Sequence, residues 1–210
     1  MNKTKPFLAI VDYDAGNLRS VAKAFEKVGY PATVTSDPSV IVRADGIIMP
    51  GVGASAQSMA SLAQRGLVDA VKEVILVGKP FLGVCLGLQL LLSESDEGHR
   101  HPCLDLVTGR VRRLPEGMKV PHMGWNQVHF TIQHPIFAGV PDRSNFYFVH
   151  SYHVVPQESA VIAAETEYEN YTFCSAIIRD NLIGTQFHPE KSGELGLRMY
   201  HNFGRLVESI

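Results

Sequence analysis

Short apolar runs alternate with helix-spaced apolar residues along the first half of the chain. The continuous apolar runs predict buried strands. These runs lie at 7–11, 32–34, 46–49 and 80–84. Apolar residues at the helical period predict helices. These helices cover 18–28, 57–77 with a break at Gly66, and about 86–93. Asn17 is expected to cap the first helix and Gly29 to end it. Alternating strands and helices are typical of a parallel sheet flanked by helices.

Shorter strands with intervening turns dominate the second half of the chain. The predicted strands lie at 107–114, 127–132, 146–149, 161–165, 173–179 and 182–185. The turn at Asp180-Asn181 indicates an antiparallel hairpin. A last helix is predicted from about Gly193, because apolar residues recur there at helical spacing. We therefore expect one α/β domain over residues 1–210, with a mostly parallel sheet flanked by helices and an antiparallel extension in the second half.

Composition narrows the functional classes. The formal net charge is −2, so no electrostatic footprint for nucleic acid is expected. No stretch approaches the roughly 20 apolar residues of a membrane helix. The first six residues lack a signal-peptide cleavage pattern. Three cysteines without metal-ligand spacing favour a reducing compartment and no zinc site. We expect a cytoplasmic protein without membrane or nucleic-acid partners, metal or cofactor.

A cysteine stands in a nucleophile-elbow pattern. The segment Gly83-Val84-Cys85-Leu86-Gly87 lies between a predicted strand and a predicted helix. Such a turn holds its nucleophile above the start of the helix, and the glycines on either side avoid clashes. The Leu86 amide is then placed to hold an oxyanion. The alternative role is that of a small buried hydrophobe, which we expect for Cys103 and Cys174.

A cysteine hydrolase also needs a base, and the best-placed histidine is His188 in the segment Gln-Phe-His-Pro-Glu. Pro189 favours an extended conformation at His188, and residues i and i+2 of extended chain share a face. Glu190 can therefore fix the imidazole tautomer, as the third member of a catalytic triad does. A satisfied surface pair is the alternative for these two side chains. His150 and His153 are the rival candidates for the base.

A glycine-rich turn is expected to complete the oxyanion site. The residues Pro50-Gly51-Val52-Gly53 follow a predicted buried strand. Glycines let the backbone approach a ligand closely and let a peptide invert. This loop is the expected source of a second oxyanion amide beside that of Leu86. Its alternative is an ordinary strand-to-helix turn.

Together these segments resemble the class I (triad) glutamine amidotransferases, which have a flavodoxin-like three-layer fold. The matching segments are Pro-Gly-Val-Gly at 50–53, Gly-Val-Cys-Leu-Gly-Leu-Gln at 83–89 and Phe-His-Pro-Glu at 187–190. The resemblance implies that the triad Cys85, His188 and Glu190 releases ammonia from glutamine through a glutamyl thioester. It also implies the residues that bind the substrate glutamine, namely Gly51, Val52, Gly53, Leu86, Gln89, Ser151 and Tyr152. The segment 103–109 departs from the family pattern but touches no catalytic position.

Within that family the chain looks most like the glutaminase subunits of imidazole glycerol phosphate synthase, of histidine biosynthesis. The marks are residues 12–21, 121–126 and 147–152, and Lys191 after the triad glutamate. The resemblance implies a heterodimer in which a barrel cyclase subunit receives ammonia through a tunnel. That subunit converts the substrate PRFAR to imidazole glycerol phosphate and AICAR. The chain ends after its last helix, so we expect the barrel on a separate chain.

An exposed Trp125 beside glycine and asparagine suits an interface anchor, and a core tryptophan is the alternative. The resemblance places five positions at the cyclase interface: Asn17, Trp125, Asn126, Tyr147 and Lys191. Two other functions stay open. The ammonia can serve another synthase, such as a sugar-modifying enzyme, or the chain can be a catalytically silent regulatory subunit.

Overall fold

A computed structural model describes residues 5–210, so part of the segment examined for a signal peptide lies outside the described residues. The strands are β1 (Leu8–Val11), β2 (Ala32–Thr35), β3 (Gly46–Gly51), β4 (Phe81–Cys85), β5 (Leu92–Ser95), β6 (His101–Pro102), β7 (Val107–Arg113), β8 (His122–Phe130), β9 (Ser144–His150), β10 (Tyr152–Pro156), β11 (Ile162–Tyr168), β12 (Tyr171–Arg179) and β13 (Leu182–Thr185). The helices are α1 (Leu18–Lys27), α2 (Pro38–Arg43), α3 (Ser55–Gln64), α4 (Leu67–Leu76), α5 (Leu86–Gln89) and α6 (Gly193–Glu208).

Parallel strands form the centre of the molecule, in the order β2-β1-β3-β4-β13. Alternate residues of β1 face opposite layers. Leu8 and Ile10 pack with Phe25 of α1 and Phe203 of α6. Ala9 and Val11 of the same strand face the layer formed by α2, α3 and α4. A sheet buried on both faces requires the continuous apolar runs seen in the sequence. The three-layer α/β fold expected from the sequence is confirmed.

Antiparallel strands extend this sheet from β13. The turn at Asp180 joins β12 to β13, and β10 and then β7 continue the sheet beyond β12. Strand β11 branches from β12 and pairs with β8. Strands β8 and β9 form a ribbon whose register runs from His122 opposite His150 to Val128 opposite Ser144. The antiparallel extension is confirmed, although β8 begins at His122 instead of at 127.

The structure differs locally from what the sequence predicts. Helix α5 ends at Gln89 instead of at 93, because Leu90 and Leu91 form a turn and Leu92 begins strand β5, which pairs with β7. A short apolar run does not distinguish a strand from a helix. The unpredicted helix α2 begins at a cap in which Asp37 Oδ1 accepts from the Ser39 amide over 2.8 Å. Asn17 precedes α1 as expected, but its side chain does not cap that helix.

Two absences apply to residues 5–210. No helix there combines the length and apolar character needed to cross a bilayer. No group of three or more histidine, cysteine, aspartate or glutamate side chains in this range is arranged to hold a metal ion.

Candidate active site

Cys85 lies at the junction of β4 and α5 in a backbone conformation that residues with side chains rarely adopt. Its φ is 54° and its ψ is −107°. A Cβ at Gly87 would lie 1.7 Å from the carbonyl oxygen of Met49, and a Cβ at Gly83 would lie 2.9 Å from the carbonyl oxygen of Gly87. The glycines that flank Cys85 are therefore required by sterics, and the tight strand-to-helix turn predicted from the sequence is present.

His188 and Glu190 form a buried pair. His188 Nδ1 lies 2.7 Å from Glu190 Oε1, and their side chains are 1% and 0% exposed. A carboxylate only accepts hydrogen bonds when it is ionised, so Nδ1 carries the proton. The other ring nitrogen, Nε2, is buried and has no hydrogen-bond partner at full bonding distance. The His188 ring is close enough to Cys85 for the charge of the sulfur to raise the pKa of the imidazole. That nitrogen is thus the one available to take a proton from the thiol.

Electrostatics favour a charged His188. Burial opposes the charge, but hydrogen bonding and negative charge at Cys85 and Glu190 outweigh burial and raise the pKa of His188 to about 10. Burial likewise raises the pKa of Glu190, yet its contacts with His188 outweigh that effect and hold the pKa below its ordinary value. The Glu190 carboxylate therefore stabilises the imidazolium form of His188. A catalytic histidine takes this form once it has accepted a proton.

Two further side chains hold the Glu190 carboxylate. Asn17 Nδ2 donates to Oε1 over 2.5 Å, and the Tyr200 hydroxyl donates to Oε2 over 2.8 Å. The expectation for Asn17 was a position at the partner interface. In the structure its amide reaches Glu190 across 173 positions of sequence. Sequence reasoning missed Tyr200, which appears there only as one more aromatic residue of the last helix.

A carboxamide not identified from the sequence touches the sulfur of Cys85. Gln186 Nε2 lies 3.6 Å from Sγ, and its Oε1 accepts from Gln89 Nε2 over 3.1 Å. The second N–H of Gln89 donates to the carbonyl oxygen of Tyr152 over 2.9 Å. Gln186 could have been found by the rule that identified Glu190, because residues 186 and 188 of extended chain share a face.

The expected oxyanion loop lies directly beside Cys85. Gly51, the last residue of β3, is paired with Cys85 across the sheet. A Cβ at Gly51 would lie 2.1 Å from the hydroxyl oxygen of Tyr13, which itself donates to the carbonyl oxygen of Pro50 over 2.8 Å. Gly53 has a φ of 113°, and the Val52 side chain between them is 39% exposed. Leu86 begins the helix on the other side of Cys85.

The remaining positions expected to bind substrate lie where β9 meets β10. The Tyr152 carbonyl accepts from Gln89, whereas the Ser151 carbonyl accepts from the Leu114 amide over 2.9 Å. The rival bases, His150 and His153, are buried next to this segment. Burial lowers the pKa of His150 to about 3 and that of His153 to about 4, so both rings are neutral.

The other two cysteines are buried and form no disulfide. This agrees with the expectation that they are small hydrophobic residues of the core. Burial raises the pKa of Cys103 and of Cys174 to about 12. Both sulfurs are therefore protonated thiols at neutral pH, and neither has the nucleophilic thiolate form.

An exposed aromatic surface lies on the β8–β9 ribbon. Trp125 is 58% exposed and Met123 is 62% exposed, so the alternative of a core tryptophan is wrong. The Trp125 ring meets the ring of Tyr147 edge-on at 6.2 Å, and Lys191 Nζ lies 5.7 Å from the centroid of that ring. Asn126 points the opposite way and donates to the Glu167 carbonyl over 2.9 Å.

Residues 9–205 match the family model for glutamine amidotransferase class-I. The chain belongs to this family. It is 55% identical over 200 residues to "Imidazole glycerol phosphate synthase subunit HisH" of Moorella thermoacetica, with 95% of each chain covered. The protein of the same name from Geobacter sulfurreducens is 50% identical over 206 residues, covering 95% of this chain and 98% of that one. The family expected from the sequence motifs is therefore confirmed.

Solved structures of low sequence identity share the fold of this class-I amidotransferase. A crystal structure of a glutamine amidotransferase superposes with a TM-score of 0.75 at 18% identity, covering 95% of this chain and 98% of that one. The structure of PurLQS from Thermotoga maritima gives a TM-score of 0.74 at 15% identity, covering 97% and 99%. At these identities the likeness establishes the fold alone.

Proposed function

We propose that this chain is the glutaminase subunit of imidazole glycerol phosphate synthase, with Cys85, His188 and Glu190 as its catalytic triad. The observation that carries the proposal is the strained Cys85 elbow beside a fully buried His188–Glu190 pair. Sequence identity of about half to HisH subunits over nearly the whole chain supports the choice of synthase.

Thioester formation is the first half of the reaction. The thiol proton of Cys85 lies on His188 Nε2, and the resulting thiolate Sγ attacks the side-chain carbonyl carbon of glutamine. The amide of Leu86 and an amide of the 51–53 loop donate to the oxyanion of the tetrahedral intermediate. When that intermediate collapses, the carbon–nitrogen bond breaks, and His188 returns its proton to the leaving nitrogen. The products of this half are ammonia and a glutamyl thioester on Cys85.

Hydrolysis of the thioester is the second half. His188 removes a proton from water, whose oxygen attacks the thioester carbonyl at the same oxyanion site. The carbon–sulfur bond then breaks, glutamate leaves and the thiol regains its proton. Glu190 holds His188 Nδ1–H throughout, and Asn17 and Tyr200 hold Glu190 in place. Gln89 with Ser151 and Tyr152 binds the substrate glutamine beside the nucleophile.

The ammonia passes to a barrel cyclase subunit that converts PRFAR to imidazole glycerol phosphate and AICAR. The surface formed by Met123, Trp125, Tyr147 and Lys191 is the proposed docking face for that subunit. Aromatic and methionine side chains are enriched at protein interfaces. Histidine biosynthesis in the cytoplasm is the process that this activity would serve.

Copurification of the full chain with a barrel cyclase tests the proposal, followed by assays of glutamine hydrolysis with and without PRFAR. We expect a one-to-one complex that makes imidazole glycerol phosphate from glutamine. A complex that hydrolyses glutamine but transfers ammonia only to a different synthase would overturn the choice of pathway. The absence of glutamine hydrolysis in every complex would overturn the enzymatic role.

A further inference from the structure

A chain of hydrogen bonds runs from strand β8 to the glutamine-binding carboxamide of Gln89. Asn126 Nδ2 lies 3.3 Å from His122 Nε2, and His122 Nδ1 lies 3.0 Å from His150 Nε2. His150 Nδ1 lies 2.8 Å from the carbonyl oxygen of Tyr152, which also accepts from Gln89 Nε2 over 2.9 Å. Every link joins buried or partly buried groups.

The rules for donors and acceptors fix which atom donates in each hydrogen bond of this chain. A carbonyl oxygen only accepts, so His150 carries its proton on Nδ1. Burial lowers the pKa of His150 to about 3 and that of His122 to about 4, so both rings are neutral and each has one N–H. His150 Nε2 is then an acceptor, which requires the proton of His122 to lie on Nδ1. His122 Nε2 in turn accepts from Asn126, so each donor finds an acceptor.

The remaining hydrogen bonds of Asn126 and Gln89 allow only one orientation of each carboxamide. The second N–H of Asn126 donates to the Glu167 carbonyl, and its Oδ1 accepts from the Gln127 amide. Both N–H groups of Gln89 are likewise used, on the oxygens of Tyr152 and Gln186. Flipping either amide would set oxygen against oxygen. The oxygens of Tyr152 and Gln186 therefore determine that the Oε1 atom of Gln89 is the one left to accept from a ligand.

Strand β8 connects this chain to the exposed aromatic surface. Side chains alternate along a strand, so Met123 and Trp125 face outward while His122 and Asn126 face inward. The His122 ring stacks on Tyr168 at 4.0 Å and on Phe148 at 4.9 Å, which fixes its plane. A shift of strand β8 beneath Trp125 must therefore move Asn126 and His122, the first two residues of the chain of hydrogen bonds.

We propose that His122 and His150 are positioning residues, which act through the Tyr152 carbonyl to hold the Gln89 carboxamide in the orientation that binds glutamine. The inference rests on the proposed function, because it takes Gln89 as a contact of the substrate. Neither histidine touches the reacting atoms or transfers a proton in the reaction. They contribute to substrate binding, and the position of strand β8 determines the position of His122.

Histidine tautomers in the full chain provide a readout that does not depend on activity. Long-range proton–nitrogen NMR at neutral pH should show His122 and His150 as neutral rings protonated on Nδ1. This is the less common tautomer of free histidine, so an unconstrained ring would not give it. A ring protonated on Nε2, or a charged ring, at either position would overturn the proposal. This measurement requires no glutamine, so its failure is distinct from a failure of the proposed glutaminase activity.

Kinetics of the complex with the cyclase test the consequence. His122→Phe keeps a stacking ring but breaks the chain of hydrogen bonds. We expect KM for glutamine to rise roughly fivefold to tenfold, because one hydrogen bond is lost. We expect kcat to stay within about twofold of that of the unmodified complex. His122→Asn keeps a donor at the position of Nδ1 and should recover most of that loss. An equal change in KM for the two variants would contradict the proposal.

His153→Phe is the matched control. His153 is also buried and also packs against Phe173, but its nitrogens lie near the Val154 carbonyl and the Tyr171 hydroxyl, outside the chain. We expect its KM to stay within about twofold of the unmodified complex. If His153→Phe raises KM as much as His122→Phe, general repacking explains both, and the positioning role is wrong.

Discussion

Gln186 donates a hydrogen bond from its side-chain amide to the sulfur of Cys85, across 3.6 Å. The same carboxamide accepts from Gln89, so its oxygen is turned away from the sulfur and its N–H toward it. An N–H donor beside sulfur stabilises negative charge there. Gln186 thus links the Gln89 carboxamide to the sulfur of Cys85.

We expect Gln186→Leu to lower the rate of glutamine hydrolysis about tenfold, since a hydrogen bond to a charged group contributes roughly 1.5 kcal/mol or more. Alkylation of Cys85 by iodoacetamide should slow in the same variant. The exposed Gln133→Leu is the control and should leave both rates unchanged. Equal alkylation rates in the two variants would mean that Gln186 does not act on the sulfur.

Replacing the proposed nucleophile separates the two reactions of the proposed complex. Cys85→Ala should abolish synthesis driven by glutamine and spare synthesis driven by added ammonia, because only the first requires a thioester. Cys174→Ala removes a buried thiol from the core and should retain both activities, with lower stability. Product formation from glutamine by Cys85→Ala would exclude this residue as the nucleophile.

The raised pKa of His188 predicts a pH dependence of stability. A raised folded-state pKa contributes stability that is fully present below the ordinary pKa of about 6.5. That stability is lost as pH rises through about 10. We therefore expect the His188 contribution to the free energy of unfolding to decline between these limits in urea titrations.

Glu190→Gln should shift that decline to lower pH, because it removes one of the charges that raise the pKa of His188. Following the His188 ring by NMR across the same pH range measures the shift directly. The exposed Glu116→Gln serves as the control for a general change in net charge. An unchanged titration of His188 in Glu190→Gln would contradict the paired arrangement.

Sterics at the elbow predict a large difference between two glycines. Gly87→Ala would place a methyl group 1.7 Å from the Met49 carbonyl oxygen, so we expect a loss of at least about 3 kcal/mol or no folded protein. Gly78 has a φ of 85° and no neighbour within 4 Å, so Gly78→Ala should cost only about 1 kcal/mol. Equal stability of the two variants in urea would refute the packing described for α5.

The sequence reveals those parts of the site that are local in the chain. The elbow is readable because two glycines flank Cys85 between an apolar run and a helix, and the His188–Glu190 pair because its members are two residues apart. Gln186 follows the same rule, because it also lies two residues from His188.

Contacts across distant segments are not readable in this way. Asn17 reaches Glu190 over 173 positions, and His122 reaches His150 only through the pairing of β8 with β9. The end of α5 at Gln89 is not predictable from the sequence for a related reason. Buried leucines satisfy a helix or a strand equally, and tertiary pairing with β7 decides between them.

The isolated chain should be a poor glutaminase. In the proposed mechanism the 51–53 loop supplies an oxyanion amide, and Gly53 beside the exposed Val52 gives this peptide freedom to turn. Without that donor the rate falls about 10²–10³-fold. We expect the cyclase and its ligand to restore it, as measured by glutamate release with and without the partner. Equal rates for the isolated chain and the complex would contradict this role of the loop.

The most direct measurement is to treat the complex with a glutamine-mimicking electrophile and locate the adduct by peptide mass spectrometry. We predict one covalent adduct on Cys85, prevented by excess glutamine and greatly slowed in His188→Asn. Modification of Cys103 or Cys174 with Cys85 left intact, or labelling of Cys85 that is indifferent to both glutamine and His188, would contradict the account.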